Sequence, residues 1–462
     1  MNSRVRGYIG IAYLALCLML GGASAAGALG NALLQLLALI IILILIWSGK
    51  LRLPPEARPL AWIVGLFLAV GALSLIPLPA GLWQSLPGRG NVAAGLRLLG
   101  VGEVGLPLSL APAATVASLL WLLPPVAMFL LAVTLAWDER RRLYGTVLVV
   151  AVLSIMLGVF QLLGGPQSSL RFYEITNEGS PVGFFSNINH QATLLLCAIP
   201  CAAVFAIQFA TGADRSKRSG GMIMASAFAL FLTAGIALSG SIAGYGLFLP
   251  AAFAALLNYR RATAGALGAA WKAALAALLI VAAGFALFGP GPPQALSDKY
   301  STSPASRRAF AANTAEAIVQ TAPVGTGLGS FSGVYRRFED PRGATGQFVN
   351  HAHNDYLELV LELGVPGALL IAAFLFWWLR RSLYAWRSDL RGANLARAAS
   401  VIVGIVLMHS IVDYPLRTSA MAAVFAVACA FLVPYMPTAR RRRKADAEAD
   451  EAGAGARHLE AV

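Results

Sequence analysis

Residues 350–367 read NHAHNDYLELVLELGVPG, setting His351, His353, Asn354 and Asp355 directly before an apolar run. An imidazole there can take the proton of an attacking hydroxyl as a general base. The same two rings can instead ligate a metal, or simply satisfy backbone groups where a helix begins. Asp355 and Glu358 have capping-box spacing and Asn354 is itself a good cap, so a helix is expected to start here. His353 then stands at a helix N-terminus, where the partial positive charge favours anions such as phosphate and disfavours imidazolium. That keeps the ring neutral and able to accept a proton.

The elements that must position this cluster are membrane helices. With 58% hydrophobic residues, 12% charged residues and a mean hydropathy of +0.71 over 462 residues, the chain reads as a polytopic, all-α integral membrane protein. A bilayer core of roughly 30 Å takes about 20 apolar residues per helix. Twelve such runs are expected, at 8–26, 30–47, 60–77, 116–136, 143–164, 186–210, 222–238, 241–257, 272–290, 356–379, 398–415 and 418–436. They form one transmembrane unit, 1–436, with long loops at 78–115 and 291–355, followed by a disordered cytoplasmic tail, 437–462. The opening MNSRVRGYIGIAYLALCLMLGGASA has the pattern of a signal peptide, but with a membrane protein behind it an uncleaved first helix is expected.

Placing both termini in the cytoplasm puts 25 of the 35 Lys and Arg residues on that side, as short cytoplasmic loops require. The net charge of +14 therefore follows from topology and anionic membrane lipid, and calls for no nucleic acid. The working face is then the outer one, where the two long loops lie. His190, His351, His353 and His409 lie at or near the outer ends of their helices, where they can converge. No Asp or Glu falls in the middle of an expected span, which weighs against the rival class, a transporter or flippase for a polyprenyl-linked sugar or a small anion. The four cysteines are expected to be buried apolar residues without a disulfide.

Further candidates surround the cluster. Arg307 and Arg308 precede a short helix in the long loop and can hold a diphosphate through planar, two-donor contacts. Gly325, Gly327 and Gly329 in PVGTGLGSF lack the following Lys-Ser/Thr of a nucleotide loop and read as a tight turn. His409, Asp413 and Arg417 are spaced i, i+4, i+8 and share a helix face if Pro415 leaves the helix intact, where ion pairing and substrate binding explain them equally. Asn187, Asn189 and His190 cap a helix or contact a glycan or a lipid phosphate. His-x-His with His190 and His409 could bind zinc, but no D-x-D-like acidic pair stands beside them, so neither metal nor cofactor is expected.

The motifs together resemble the O-antigen ligase and polymerase superfamily of bacterial membrane glycosyltransferases. They are Arg308 before a short helix, Pro323-Val-Gly-Thr-Gly327, His351-Ala-His-Asn-Asp-Tyr-Leu357, Glu362-Leu-Gly-Val-Pro-Gly367, GFFSNINHQA at 183–192 and HSIVDYPLR at 409–417. The similarity runs over roughly residues 170–420. It departs at Gly240, where relatives often carry an arginine, so a second cationic phosphate contact either comes from Arg171, Arg307 or Arg417 or is absent. The resemblance implies transfer of a glycan from a polyprenyl diphosphate donor to a sugar hydroxyl of a glycan or lipid A-core acceptor, in lipopolysaccharide or exopolysaccharide synthesis. Ligase and polymerase share these groups and are not separated. The resemblance further implies His353, less so His351, as base and Arg308 on the diphosphate, with inversion and no metal. Asn354, Asn187, Asn189, His190, His409, Asp413 and Arg417 are implied around the substrate.

Overall fold

The computed structural model describes residues 3–24, 27–49, 51, 53–212, 215–263, 304–339, 349–390 and 392–434. It is about 73% helical. In chain order the helices are α1 (Ser3–Leu20), α2 (Ala28–Trp47), α3 (Arg58–Leu73), α4 (Ala80–Ser85), α5 (Gly90–Leu98), α6 (Pro112–Trp121), α7 (Leu123–Val133), α8 (Trp137–Leu163), α9 (Ile188–Ala210), α10 (Arg215–Ser239), α11 (Ile242–Ala262), α12 (Pro304–Thr321), α13 (Phe331–Tyr335), α14 (Asp355–Arg387), α15 (Ala393–His409) and α16 (Ser419–Phe431). Sheet among the described residues is limited to β1 (Pro77–Leu78) paired antiparallel with β2 (Leu106–Pro107).

This is an all-α membrane fold. Eight of the expected spans coincide with helices long and apolar enough to cross a bilayer, from Ala28–Trp47 to Asp355–Arg387. The spans expected at 8–26, 398–415 and 418–436 are the helices α1, α15 and α16, which are shorter or less apolar. The span at 272–290 and the tail at 437–462 lie outside the described residues. A large apolar core joins α1, α2, α7, α8, α9, α15 and α16 and includes the buried Cys17, Cys197, Cys201 and Cys429.

The helix ends are tied by backbone groups that a bilayer could not satisfy. At one end of the bundle α1 and α15 finish while α9, α14 and α16 begin. There Ala420 N donates to Gly21 O at 3.0 Å, Ser186 N to Gly22 O at 3.1 Å and Asp355 N to Ser410 O at 3.0 Å. Asn354 alone is the N-cap of α14, accepting from Tyr356 N and Leu357 N. Glu358, expected to pair with Asp355 in a capping box, instead reaches back past the cap to Ala352 N and His351.

Helix α14 is interrupted at Gly364, whose φ of 62° and ψ of −144° belong to a region that only glycine occupies readily. The break exposes carbonyls, and the glycine turn fills the gap. Gly327 N donates to Glu362 O at 2.7 Å, Gly329 N to the Glu362 carboxylate at 2.7 Å, and Val365 N returns a bond to Pro323 O at 2.9 Å. Buried Arg89 adds a third party by donating to Gly325 O at 3.0 Å and Leu108 O at 2.7 Å, which locks the 78–115 loop to the same turn.

A Cβ at Gly364 would stand 2.0 Å from Pro323 O. Gly364→Ala is therefore expected to undock the 323–329 turn and cost at least about 1–3 kcal/mol. Thermal unfolding in detergent checks this against Gly65→Ala, where a Cβ meets nothing within 4 Å; equal melting of the two variants would refute the docking argument.

Candidate active site

The 410–417 segment runs between α15 and α16. Helix α15 stops at His409, and Pro415 opens a single 3₁₀ turn, Pro415–Arg417, so Asp413 lies in the bend between them and Arg417 in that turn. The shared i, i+4, i+8 helix face does not form. The three side chains enter two separate networks.

Asp413 is the centre of the first. It is 1% exposed, and a buried carboxylate must be paired. Oδ1 accepts from Tyr414 N at 2.9 Å and faces His353 Nδ1 at 3.5 Å and His190 Nε2 at 3.7 Å. Oδ2 accepts from Asn189 Nδ2 at 2.5 Å and faces an Arg307 guanidinium nitrogen at 3.8 Å. Burial works against the charge, but the approach of the His190 and His353 rings outweighs it and holds this carboxyl well below the usual range.

Four helix ends converge on it. Asn187 caps α9 and accepts from Asn189 N at 2.8 Å, which turns Asn189 and His190 toward Asp413. Ser241, the cap of α11, donates to Asn189 Oδ1 at 2.7 Å. The first turns of α12 supply Arg307 and Phe310, whose ring stacks on His353 at 5.7 Å. His353 precedes the α14 cap with φ of 51°, a left-handed conformation that histidine tolerates better than most residues. Asn354 Nδ2 donates to Ile411 O at 2.8 Å and so fixes that residue against the 410–417 turn.

The second network holds Arg417. It donates to Glu362 Oε2 at 3.0 Å and lies 3.4 Å from Glu358 and 3.5 Å from Asp355, all three acids being buried. Glu358 also meets His351 Nδ1 at 2.8 Å. Arg417, a candidate for the diphosphate, is thus committed to internal acids. Between the networks stands Tyr414, its ring 4.3 Å from His351, 4.9 Å from His353 and 5.0 Å from His190.

The remaining candidates are placed differently. His409 is fully buried, its Nδ1 2.7 Å from Thr193 Oγ1. Arg171 bonds the carbonyls of Pro166, Asn177 and Ser180 within its own loop. Arg308 is exposed, whereas Arg307 is half-buried with its Nε shielded and unbonded. Gly240 has φ of 69° and open space where a side chain would stand. Thr193, Ser241 and Phe310 were not singled out in sequence. Of these, only Ser241 carried a signal, as a serine at a helix start. Among the described residues no group of three His, Cys, Asp or Glu side chains is arranged to hold a metal ion.

Removing Arg417 would leave three buried carboxylates uncompensated, a loss of about 3–5 kcal/mol. Arg417→Met is expected to unfold at markedly lower temperature, or to fail to accumulate, and adding Glu362→Gln is expected to recover part of the loss. A melting temperature unchanged from wild type would show that the network is not needed for the fold.

Residues 227–372 match the family described as O-antigen ligase. That stretch takes in Arg307, Arg308, the glycine turn, both loop histidines and Glu362, while Asn189, His190, His409 and Asp413 lie outside it. No curated protein matches the chain.

Proposed function

Placed in the O-antigen ligase superfamily by residues 227–372, this chain is, we propose, a membrane glycosyltransferase that moves a glycan from a polyprenyl diphosphate to a sugar hydroxyl. The observation that carries this reading is the approach of His353 to a buried carboxylate beside a half-buried arginine, at the start of a membrane helix.

The carboxylate facing His353 Nδ1 assigns the ring proton to that nitrogen and leaves Nε2 to accept one. In the reaction the acceptor hydroxyl oxygen bonds to the anomeric carbon and its proton passes to Nε2. The bond from that carbon to the diphosphate oxygen breaks, and the electron pair leaves with the diphosphate. Positive charge placed where negative charge develops is the main electrostatic aid to such a step. Displacement in one step inverts the anomeric carbon and needs no covalent intermediate. Asp413 orients the base and stabilises the imidazolium that forms.

Arg307 and Arg308 are successive residues of one helix and point about 100° apart. Arg307 faces the Asp413 network and Arg308 faces outward. We assign Arg307 the inner diphosphate contact and Arg308 the outer one, reversing the order implied by motif spacing. With Arg417 held by acids, this pair is the cationic equipment beside His353. Ligation to lipid A-core and polymerisation of repeat units both fit, because the two differ in the acceptor and not in these groups.

His353→Ala is expected to lose ~10²–10⁴ in transfer rate at normal protein level, the range for a missing general base, with His351→Ala milder. The assay is glycan transfer from a lipid-linked donor in detergent containing EDTA. Wild-type rates in His353→Ala would reduce the cluster to a helix cap, and EDTA inhibition relieved by a divalent ion would assign the leaving group to a metal. In the same assay Arg307→Lys, which keeps charge but loses the planar fork, is expected to fall further than Arg308→Lys; the opposite order would return the inner contact to Arg308.

The proposed face is periplasmic, with both termini cytoplasmic. Reporter fusions after Arg337 and at the C-terminus are expected to report opposite compartments, and agreement between them would overturn the topology.

A further inference from the structure

At the end of the bundle opposite the histidines, α1 and α8 begin side by side, with Gly7 against Glu139. Arg140 of this end is fully buried and donates to Val433 O at 2.8 Å, past the last turn of α16. From here a groove of ≈ 770 Å³ runs along the seam of α1 and α8. Its walls are Ile11 and Met19 of α1, Val149 and Leu153 of α8 and Phe205 of α9, and Ala15 and Gly145 form its floor. Small residues make the hollow, since a Cβ at Gly145 would already stand 3.3 Å from the Phe205 ring.

The mouth is different in kind. Asp138, Arg141 and Arg142 line it. Asp138 neutralises Arg141 at 3.0 Å, while Arg142 is exposed and pairs with no described carboxylate. Helix α8 has 27 residues, about 40 Å at 1.5 Å per residue, against roughly 30 Å of hydrocarbon. Its charged first turns therefore stand at headgroup level and the apolar groove lies at acyl-chain depth. A net positive mouth above an apolar channel open to lipid is complementary to one ligand, an amphiphile with an anionic head and a hydrocarbon tail.

We propose that this groove seats one acyl chain of an anionic phospholipid whose phosphate lies on Arg142. The site is separate from the Asp413 network and stands whether or not the chain transfers glycans. It takes no part in the proposed chemistry; its ligand is a lipid that stays with the protein.

The test is native mass spectrometry of the full chain in detergent with equimolar phosphatidylglycerol and phosphatidylcholine. Wild type is expected to retain phosphatidylglycerol preferentially. Removing one interfacial cation costs about fivefold in affinity for anionic lipid, so Arg142→Gln is expected to lose that much preference and Arg142→Glu more. Ala15→Phe, which fills the floor, is expected to lower retention of both lipids. Inorganic phosphate at the same concentration is expected to leave retention unchanged, because it has no chain to seat. Equal retention of the two lipids by wild type overturns the proposal. So does undiminished preference in Arg142→Gln, or displacement of lipid by phosphate. Thermal unfolding of each variant identifies any that fails to fold, and the wild-type ratio decides the matter without them.

Discussion

One buried carboxylate organises the proposed working end of this protein. Asp413 is closed to solvent, and an ionised acid so placed must find partners or be expelled. Its partners come from helix starts far apart in the chain: Asn189 and His190 from α9, Arg307 from α12 and His353 from the approach to α14. None of these ends can shift without leaving a charge unmet in a low-dielectric setting. The need to satisfy Asp413 thus fixes the relative positions of the groups that would meet a donor and an acceptor.

The second network protects that arrangement. Three buried acids on successive turns of α14 would repel one another, and Arg417 is what lets them coexist. Glu362 also accepts from Gly329 N, so the acid that anchors Arg417 holds the glycine turn in the break at Gly364. The 78–115 loop is bound to the same turn through Arg89. A chain of charge and backbone contacts therefore connects both long loops to the 410–417 segment, and Tyr414 lies where the two networks meet.

Residue type and spacing made much of this legible. The start of α14, the histidine pair and the caps at Asn187 and Asn354 follow from local rules, and so does the membrane class. What stayed hidden depends on direction. Arg307 and Arg308 are neighbours in sequence, and only the phase of α12 against the bundle decides which one turns inward. Arg417 read as a free cation because the acids that hold it lie more than fifty residues away in sequence. Asp413 read as one of three residues on a helix face, whereas α15 ends at His409 and leaves it in a bend that partners from α9, α12 and the approach to α14 can reach.

Much of this end lies beyond the family match. The matched stretch supplies the arginine pair, the histidines and the interrupted helix, but the carboxylate they face lies some forty residues past its end, at position 413 against 372. His353 is held in a left-handed conformation with its Nδ1 otherwise unbonded. Local sequence alone does not stabilise that geometry, which has to be imposed by packing against the 410–417 turn. The bonds from Asn354 Nδ2 to Ile411 O and from Ser410 Oγ to Asp355 Oδ2 impose it. The strain at His353 and the burial of Asp413 are therefore two sides of one arrangement, because the contacts that hold the ring in its uncommon backbone conformation also bring it to the carboxylate.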